Sequence, residues 1–231
     1  MPLPPVVDRE TWLAAREELL SEEKTFTRMR DALNARRRRI GMVPVEKDYA
    51  FEGPRGRVSL LELFEGRRQL VIQHFMFDPS WEDGCPSCSW AADEISDGRL
   101  LHLHESDTTF AAVSRAPLER IEAYKARKGW QFPWYSSYGS DFNYDFGVTV
   151  DERRAPAAYN YRSREEYEAR AGEPVDLEGE QPGYSCFIRD GDAVFHTYST
   201  YARGTETIGG SHYILDLTAL GRGHEFERAL D

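Results

Sequence analysis

Residues 70–101, LVIQHFMFDPSWEDGCPSCSWAADEISDGRLL, contain the apolar run and the cysteine pair on which the prediction of the fold rests. They begin with an apolar run from Leu70 to Phe77, whose length predicts a strand buried on both faces, as strands of parallel sheets are. A polar loop from Asp78 to Gly84 then leads to two cysteines, Cys85 and Cys88. We expect a helix over Ser89–Leu101, so the cysteine pair lies between a strand and a helix.

The segments that follow the cysteines supply the remaining parts of an α/β fold. Thr108–Ser114 predicts a second strand, and Pro117 opens a helix that runs to about Lys128, because proline is accepted in a first helical turn. A hairpin is predicted around Asp190-Gly191, a dipeptide suited to tight turns, with strands over Tyr184–Arg189 and Asp192–Tyr198. This order of elements predicts a thioredoxin-like α/β fold, with a central mixed sheet flanked by helices.

The N-terminal residues predict a helical arm. Asp8 is placed to cap a helix over Arg9–Leu20, and a second helical pattern covers Glu22–Arg39. We therefore predict an arm over residues 1–48 and a thioredoxin-like domain over residues 49–231.

The middle of the predicted domain contains an insertion. Residues 151–182 are polar and acidic, in contrast to the segments on either side. Within them, Ser163 and Glu166 have the spacing of a capping box, and Gly172 is suited to end the helix that this box begins.

The composition is that of a globular, acidic protein. Of 231 residues, 40% are hydrophobic, which provides for a core without disulfides. The 29 Lys and Arg against 40 Asp and Glu give a net charge of -11, which argues against nucleic acid or an anionic membrane as partner. No apolar run reaches the roughly 18–20 residues that cross a bilayer, and no signal peptide is recognised, so we expect a cytoplasmic protein.

The cysteine pair predicts redox chemistry. Two thiols at the start of a helix can close a small disulfide, while unpaired amides and the helix dipole stabilise a thiolate. Cys85 is the predicted nucleophile because it is the more N-terminal and more exposed sulfur. Cys88, one turn further into the helix, is predicted to resolve the mixed disulfide on Cys85. This cycle needs no metal and no organic cofactor.

Spacing alone leaves other chemistries open. One alternative is a peroxiredoxin-like thiol peroxidase, in which Cys85 forms a sulfenic acid before Cys88 closes the disulfide. Another is a copper or zinc module that uses Cys85, Cys88, His74 and His196, although the second cysteine pair of a structural zinc site is missing. In a fourth hypothesis the cysteines are inert, and the aromatic region Trp130–Phe146 binds a partner.

Several segments together make the chain similar to a known family. They resemble the predicted dithiol–disulfide oxidoreductases filed as a domain of unknown function in the thioredoxin superfamily, near the alkyl hydroperoxide reductases and peroxiredoxins. The resemblance covers about residues 49–221 and implies a thioredoxin-like fold with thiol–disulfide chemistry. The segments are HFMFDPSWEDGCPSCSWAAD (74–93), FAAVSRAPLERIEAYKARKGWQFPW (110–134), SDFNYDFGV (140–148) and FHTYSTYARG (195–204).

The chain departs from related families at two places. Gly183 stands where thioredoxins carry a cis-proline beside their cysteines, which implies a different mode of substrate docking. Glu82 lies three residues before Cys85, where peroxiredoxins have Thr or Ser, and no arginine opens the Tyr184 strand. These differences argue against efficient peroxide reduction.

A substrate groove is predicted around the cysteines, and its candidate residues are Trp81, Pro86, Ser87, Gly183, Tyr184 and Tyr198. The expected partners are a protein or small molecule that carries a thiol or disulfide, and a reducing partner. The N-terminal arm is compatible with a homodimer. Cys186 shares a face of its predicted strand with Ile188, and we expect it to pack in the core.

Overall fold

The computed structural model describes residues 3–208 and 210–220, and its residues form two compact units. One unit consists of residues 42–209, and the other of residues 1–41 and 210–231. The last residues of the predicted domain, 221–231, lie outside the described part. The predicted boundary between arm and domain at residues 48 and 49 stays a prediction.

The terminal unit contains one long helix instead of the two that were predicted. Helix α1 spans Arg9–Arg37 without interruption. Asp8 caps it as expected, because the Thr11 amide donates to its carboxylate at 2.8 Å. The helix continues through Ser21 because neither glycine nor proline lies between the two predicted segments.

Six further helices follow α1 in the described residues: α2 (Pro86–Asp93), α3 (Asp97–Glu105), α4 (Leu118–Lys128), α5 (Phe142–Asp145), α6 (Arg164–Ala171) and α7 (Ser211–Leu215). Two 3-10 segments, Glu62–Phe64 and Ala202–Ile208, complete the helical elements of this part of the chain. None of the described helices carries an apolar run long enough to cross a bilayer.

The strands of the described residues are β1 (Val43–Pro44), β2 (Ala50–Gly53), β3 (Gly56–Ser59), β4 (Gln69–His74), β5 (Thr108–Ser114), β6 (Trp134–Ser136), β7 (Thr149–Val150), β8 (Ala158–Tyr159), β9 (Arg162–Ser163), β10 (Gly179–Glu180), β11 (Gly183–Asp190) and β12 (Ala193–Tyr201). Eight of them form the main sheet in the order β1-β12-β11-β4-β5-β6-β2-β3. The pairs β7 with β10 and β8 with β9 form two small sheets.

The centre of the main sheet confirms the predicted thioredoxin-like fold. Strands β4, β5 and β6 are parallel, and the helices between them, α2, α3 and α4, pack on one face of the sheet. The hairpin of β11 and β12 adds to the other side of β4 in antiparallel orientation. The sheet is therefore mixed, with β4 at its centre directly before the cysteine helix α2.

Two apolar cores cover the two faces of this sheet. The first lies on the cysteine side and is rich in aromatic rings; its members include Phe75, Phe77, Cys88, Tyr124, Trp130, Phe132, Trp134 and Tyr184. The second lies on the opposite face and includes Phe51, Leu63, Phe64, Leu70, Ile72, Val113, Phe142 and Phe187. Residues of β4 alternate between these cores, as the two-residue period of a strand requires.

Local sequence signals predicted some element ends correctly and others wrongly, and β4 ends at His74 instead of Phe77. β5 has the predicted bounds, and α4 follows Pro117 and ends at Gly129, whose φ is +72°. The predicted helix over Ser89–Leu101 is instead two helices, because Ser96 caps a new helix through a 3.3 Å hydrogen bond from the Arg99 amide. The hairpin turn is Gly191-Asp192, one residue later than predicted, since Asp190 pairs with Ala193.

The predicted insertion contains β8, β9, α6 and β10, and the capping box of Ser163 and Glu166 is present at the start of α6. Its last strand carries a buried carboxylate, Glu180, whose side chain is 1% exposed. Arg115 pairs with this carboxylate at 2.8 Å, and the Thr149 hydroxyl bonds to it at 3.0 Å. Burial raises the pKa of Glu180, and the Arg115 charge opposes that effect. This pair joins the insertion to the end of β5.

We predict that Arg115→Ala destabilises the protein by about 3–5 kcal/mol at neutral pH, because it leaves a buried carboxylate without its cation. The free energy of unfolding, measured in urea, tests this. The double variant Arg115→Ala/Glu180→Gln should recover part of the loss, since its buried side chain is neutral. Equal stability of the single and double variants would contradict the proposed role of the pair.

Candidate dithiol site

Both cysteines form hydrogen bonds with the backbone of a single residue, Met76, which lies two residues after the end of β4. The Cys85 amide donates to the Met76 carbonyl at 3.0 Å. The Met76 amide in turn donates to the Cys88 sulfur. Gln73, also from β4, donates its side-chain amide to the Cys88 carbonyl at 3.3 Å. The start of α2 is therefore fixed on the edge of the central strand.

The loop before the cysteines is held by its own polar groups and by α4. Asp78 accepts hydrogen bonds from the Ser80 amide at 2.8 Å and the Ser80 hydroxyl at 2.6 Å. Arg120 donates to two loop carbonyls, those of Pro79 and Trp81, at 2.9 and 2.6 Å. These bonds fix the path of the chain into the cysteine helix.

Gly84, directly before Cys85, has no room for a side chain. A Cβ atom at this position would lie 2.5 Å from the Phe75 ring and 3.2 Å from the Tyr124 ring. The absence of a side chain lets the loop lie flat on the aromatic core of the cysteine face.

The sulfur of Cys85 is surrounded by hydrogen-bond donors. Cys85 is half-buried at the N-terminus of α2, and Pro86 occupies the first turn of that helix. The Cys88 thiol, the amides of Ser87 and Cys88, and the Ser87 hydroxyl all donate to this sulfur. The Cys88 thiol has the largest effect, and together these donors lower the pKa of Cys85 to about 6 against the opposing effect of burial.

Cys88 is the opposite kind of thiol. Its side chain is 6% exposed and packs in the aromatic core of the cysteine face. Its hydrogen bond to Cys85, followed by burial, raises the pKa of Cys88 well above the ordinary value. Both residues are thiols in this structure, with Cys88 the donor and Cys85 the acceptor.

The predicted groove residues differ in their placement. Pro86 and Ser87 are exposed beside Cys85, and Trp81 packs against the same aromatic core. Gly183 is buried, and a Cβ atom there would lie 2.6 Å from the Tyr201 ring. The Tyr201 ring therefore fills the space that a side chain at position 183 would need.

The hairpin residues Tyr184 and Tyr198 lie on the cysteine face. Tyr184 is buried in the aromatic core and pairs in register with Gln73. Within the described residues, no group hydrogen-bonds to its hydroxyl. Tyr198 is half-buried and pairs in register with Cys186. Cys186 is also half-buried and lies opposite Val71 of β4, which places it on the face of the dithiol.

The two histidines of the metal hypothesis lie on the other face of the sheet. His74 stacks on Phe146 at 5.9 Å, and His196 contacts the same ring at 5.3 Å. A chain of hydrogen bonds joins them: His74 Nε2 to the Ser185 hydroxyl at 2.7 Å, Ser185 to Ser199 at 2.7 Å, and Ser199 to His196 Nε2 at 2.8 Å.

Both imidazoles of this histidine–serine chain are held neutral. Complete burial, with a smaller effect from the charge of His196, lowers the pKa of His74 to about 3. Burial also lowers the pKa of His196. The structure does not bring His74 and His196 to the cysteines, and no cluster of three potential metal ligands lies among the described residues.

The sequence interpretation missed the residues that support the dithiol from behind. The Ser89 hydroxyl donates to the Cys85 carbonyl at 2.9 Å and bonds to the Tyr124 hydroxyl at 2.8 Å. Gln73 and Arg120 reach the site from β4 and α4. Only Gln73 had a signal in the sequence, as a polar residue in an apolar strand.

Comparison with known proteins gives the family. A family model described as "Bacterial protein of unknown function (DUF899)" matches residues 1–230. The chain belongs to this family. The recognition of a thioredoxin-like family of unknown function from the sequence is thus confirmed. No curated protein matches this DUF899 chain.

Solved structures that are similar to the DUF899 chain include several peroxiredoxins. A mutant of Xanthomonas campestris Peroxiredoxin Q has 14% identity and a TM-score of 0.44, and the match covers 69% of this chain and 87% of that one. Peroxidoxin BcpB from Mycobacterium tuberculosis has 12% identity and a TM-score of 0.44, and the match covers 73% of this chain and 91% of that one. The mitochondrial 2-cys peroxiredoxin from Plasmodium falciparum has 12% identity and a TM-score of 0.43, and the match covers 70% of this chain and 85% of that one. Similarities of this size carry no information on activity.

We predict that Gly84→Ala destabilises the protein by about 1–3 kcal/mol, because the added methyl group overlaps the Phe75 ring. Gly98→Ala is the matched control: it lies in α3, where the nearest atom to an added Cβ is 3.9 Å away. That variant should be neutral or slightly stabilising. Urea unfolding of both variants is the measurement, and equal stability would refute the close packing of Gly84.

A second prediction concerns the titration of Cys85. Its alkylation rate, followed by mass spectrometry in a Cys186→Ser background, should rise with pH through a midpoint of about 6. Cys88→Ala removes the largest stabilising hydrogen bond and should move the midpoint up towards the ordinary value of 9.0. Cys88→Ser keeps a hydroxyl donor and should move it less. A midpoint that is the same in all three proteins would rule out the Cys88 contribution.

Proposed function

We propose that this protein is a thiol–disulfide oxidoreductase whose redox centre is the Cys85–Cys88 pair. The observation that carries the proposal is the asymmetry between the two thiols. Cys85 is accessible, and its pKa of about 6 makes it largely a thiolate at neutral pH. Cys88 is buried, protonated and hydrogen-bonded to it. The attacking sulfur has to be an accessible thiolate, whereas the resolving sulfur has to stay protonated until the mixed disulfide has formed.

The proposed cycle has two displacement steps. The Cys85 thiolate attacks one sulfur of a substrate disulfide, which forms a mixed disulfide and releases the other substrate sulfur as a thiolate. Cys88 then attacks the Cys85 sulfur, which closes the Cys85–Cys88 disulfide and breaks the bond to the substrate. The second substrate sulfur leaves as a thiolate and takes up, directly or through solvent, the proton that Cys88 loses. The substrate is reduced by two electrons, and the protein is oxidised by two. An external dithiol of a reducing partner returns the pair to the reduced state.

The surroundings of the pair favour a disulfide as the electrophile. Pro86 and Ser87 are exposed beside the Cys85 sulfur, so a disulfide on a small molecule or a protein surface can approach it there. The donors that lower the pKa of Cys85 come from its own helical turn. They remain in place for the leaving thiolate in the reverse reaction, in which the Cys85 sulfur is displaced.

The reduction potential of the pair is the measurement that tests this function. Thiol trapping and mass spectrometry across a glutathione series should find one reversible couple within the range from about -270 mV for a reductant to about -120 mV for an oxidant. Metal content is recorded on the same sample. If no disulfide forms at any poise, the proposed function is wrong. Rapid conversion of Cys85 to a sulfenic acid by dilute hydroperoxide would favour a peroxidase instead.

We predict that Cys88→Ser accumulates a stable mixed disulfide at Cys85 during turnover with a disulfide substrate, because the second displacement is lost. Cys85→Ser should lose all activity and trap nothing. Cys186→Ser is the control that retains the pair and should turn over normally. Full activity of Cys88→Ser would remove Cys88 from the mechanism.

A further inference from the structure

Helix α1 carries an apolar stripe that nothing in the proposed chemistry uses. Trp12, Leu19, Phe26 and Leu33 recur at every seventh residue, and Ala15 and Met29 lie three residues after Trp12 and Phe26. A seven-residue repeat places these side chains along one side of a helix, as in a coiled coil. These six residues are called the apolar stripe.

The apolar stripe is exposed. No residue of α1 is buried, and the five large side chains of the stripe are between 46% and 65% exposed. The helix has 29 residues and is therefore about 44 Å long. A continuous row of aromatic and aliphatic side chains of this length is typical of a surface that another helix covers.

The charges of α1 are divided between its two halves. From Arg9 to Glu23 there are five carboxylates and two cations, whereas from Lys24 to Arg37 there are one carboxylate and five cations. Two parallel copies would place like charges together. Two antiparallel copies place the acidic half of each on the basic half of the other, and they also oppose the two helix dipoles.

We propose that α1 pairs with α1 of a second copy of this chain, in an antiparallel arrangement that buries the two apolar stripes. A twofold axis perpendicular to the helices relates the copies, which is the commonest symmetry of homodimers. Glu22 interrupts the stripe near its middle, and a polar residue at such a position lowers the stability of the pair. The pairing is independent of the dithiol chemistry.

The first test is the oligomeric state of the full chain by sedimentation equilibrium over a wide range of concentrations. We expect a reversible monomer–dimer equilibrium. Phe26→Glu places a charge in the apolar stripe and should raise the dimer dissociation constant by about tenfold or more. Thr27→Glu adds the same charge one residue outside the stripe and should change it by less than about twofold. Circular dichroism verifies that both variants keep their helix content.

The second test is the orientation of the helices. Glu17→Lys with Glu18→Lys should weaken an antiparallel dimer, because basic then faces basic. Adding Arg28→Glu and Arg30→Glu to the same chain should restore it, because the charges of both halves are then reversed. In a parallel dimer the fourfold variant would gain nothing from the second pair of changes.

A fourfold variant that fails to restore the dimer would overturn the antiparallel arrangement, and three further results would overturn the pairing itself. The first is an unmodified chain that stays monomeric at every concentration, and the second is a dimer that Phe26→Glu does not weaken. The third is a monomer whose α1 binds phosphatidylserine vesicles, which would assign the stripe and its basic half to a membrane surface.

Discussion

The backbone of Met76 is the constraint on which the dithiol site depends. Its carbonyl accepts the Cys85 amide, and its amide donates to the Cys88 sulfur, so one residue, two positions after the end of the central strand, bonds to both cysteines. These hydrogen bonds use only the backbone of Met76, so they require no particular side chain at that position. They leave the donors of the first helical turn directed at the Cys85 sulfur. The position of the Cys85 sulfur is thereby tied to the backbone that follows the central strand.

The main sheet also separates the cysteine pair from the histidine–serine chain, which the metal hypothesis had placed in one site. The cysteines lie against the aromatic core on one face, where donors from α2 favour a thiolate on Cys85. The histidine–serine chain lies on the other face, where burial favours neutral imidazoles. Strand alternation decides this: His74 and Gln73 are neighbours in β4, yet only Gln73 reaches the cysteine helix.

The fold could be predicted from sequence because its signals are local. An apolar run, a proline before a helix, a capping box and a glycine in a turn each act over a few residues, and each predicted an element that is present. The split between α2 and α3 was missed because the Ser96 cap competes with a continuous helical pattern. The contacts of Gln73 and Tyr124 with the cysteine helix, and of Arg120 with the loop before it, were also missed. They join elements distant in sequence, for which a single sequence carries no periodic signal.

The histidine–serine chain fixes the tautomers of its two rings. Each serine has one proton to donate, and one of the two is needed for the bond between the serines, so His74 and His196 cannot both accept through Nε2. The second nitrogen of His74 is buried without a partner in the described residues, where a bare lone pair costs less than an orphaned N–H. Burial lowers the pKa of His196, and a hydrogen bond with the Tyr198 backbone opposes that effect, as a carbonyl that accepts from the ring does. Both facts select the same direction: His74 carries its proton on Nε2 and His196 on Nδ1, so the protons of three strands point one way across the sheet.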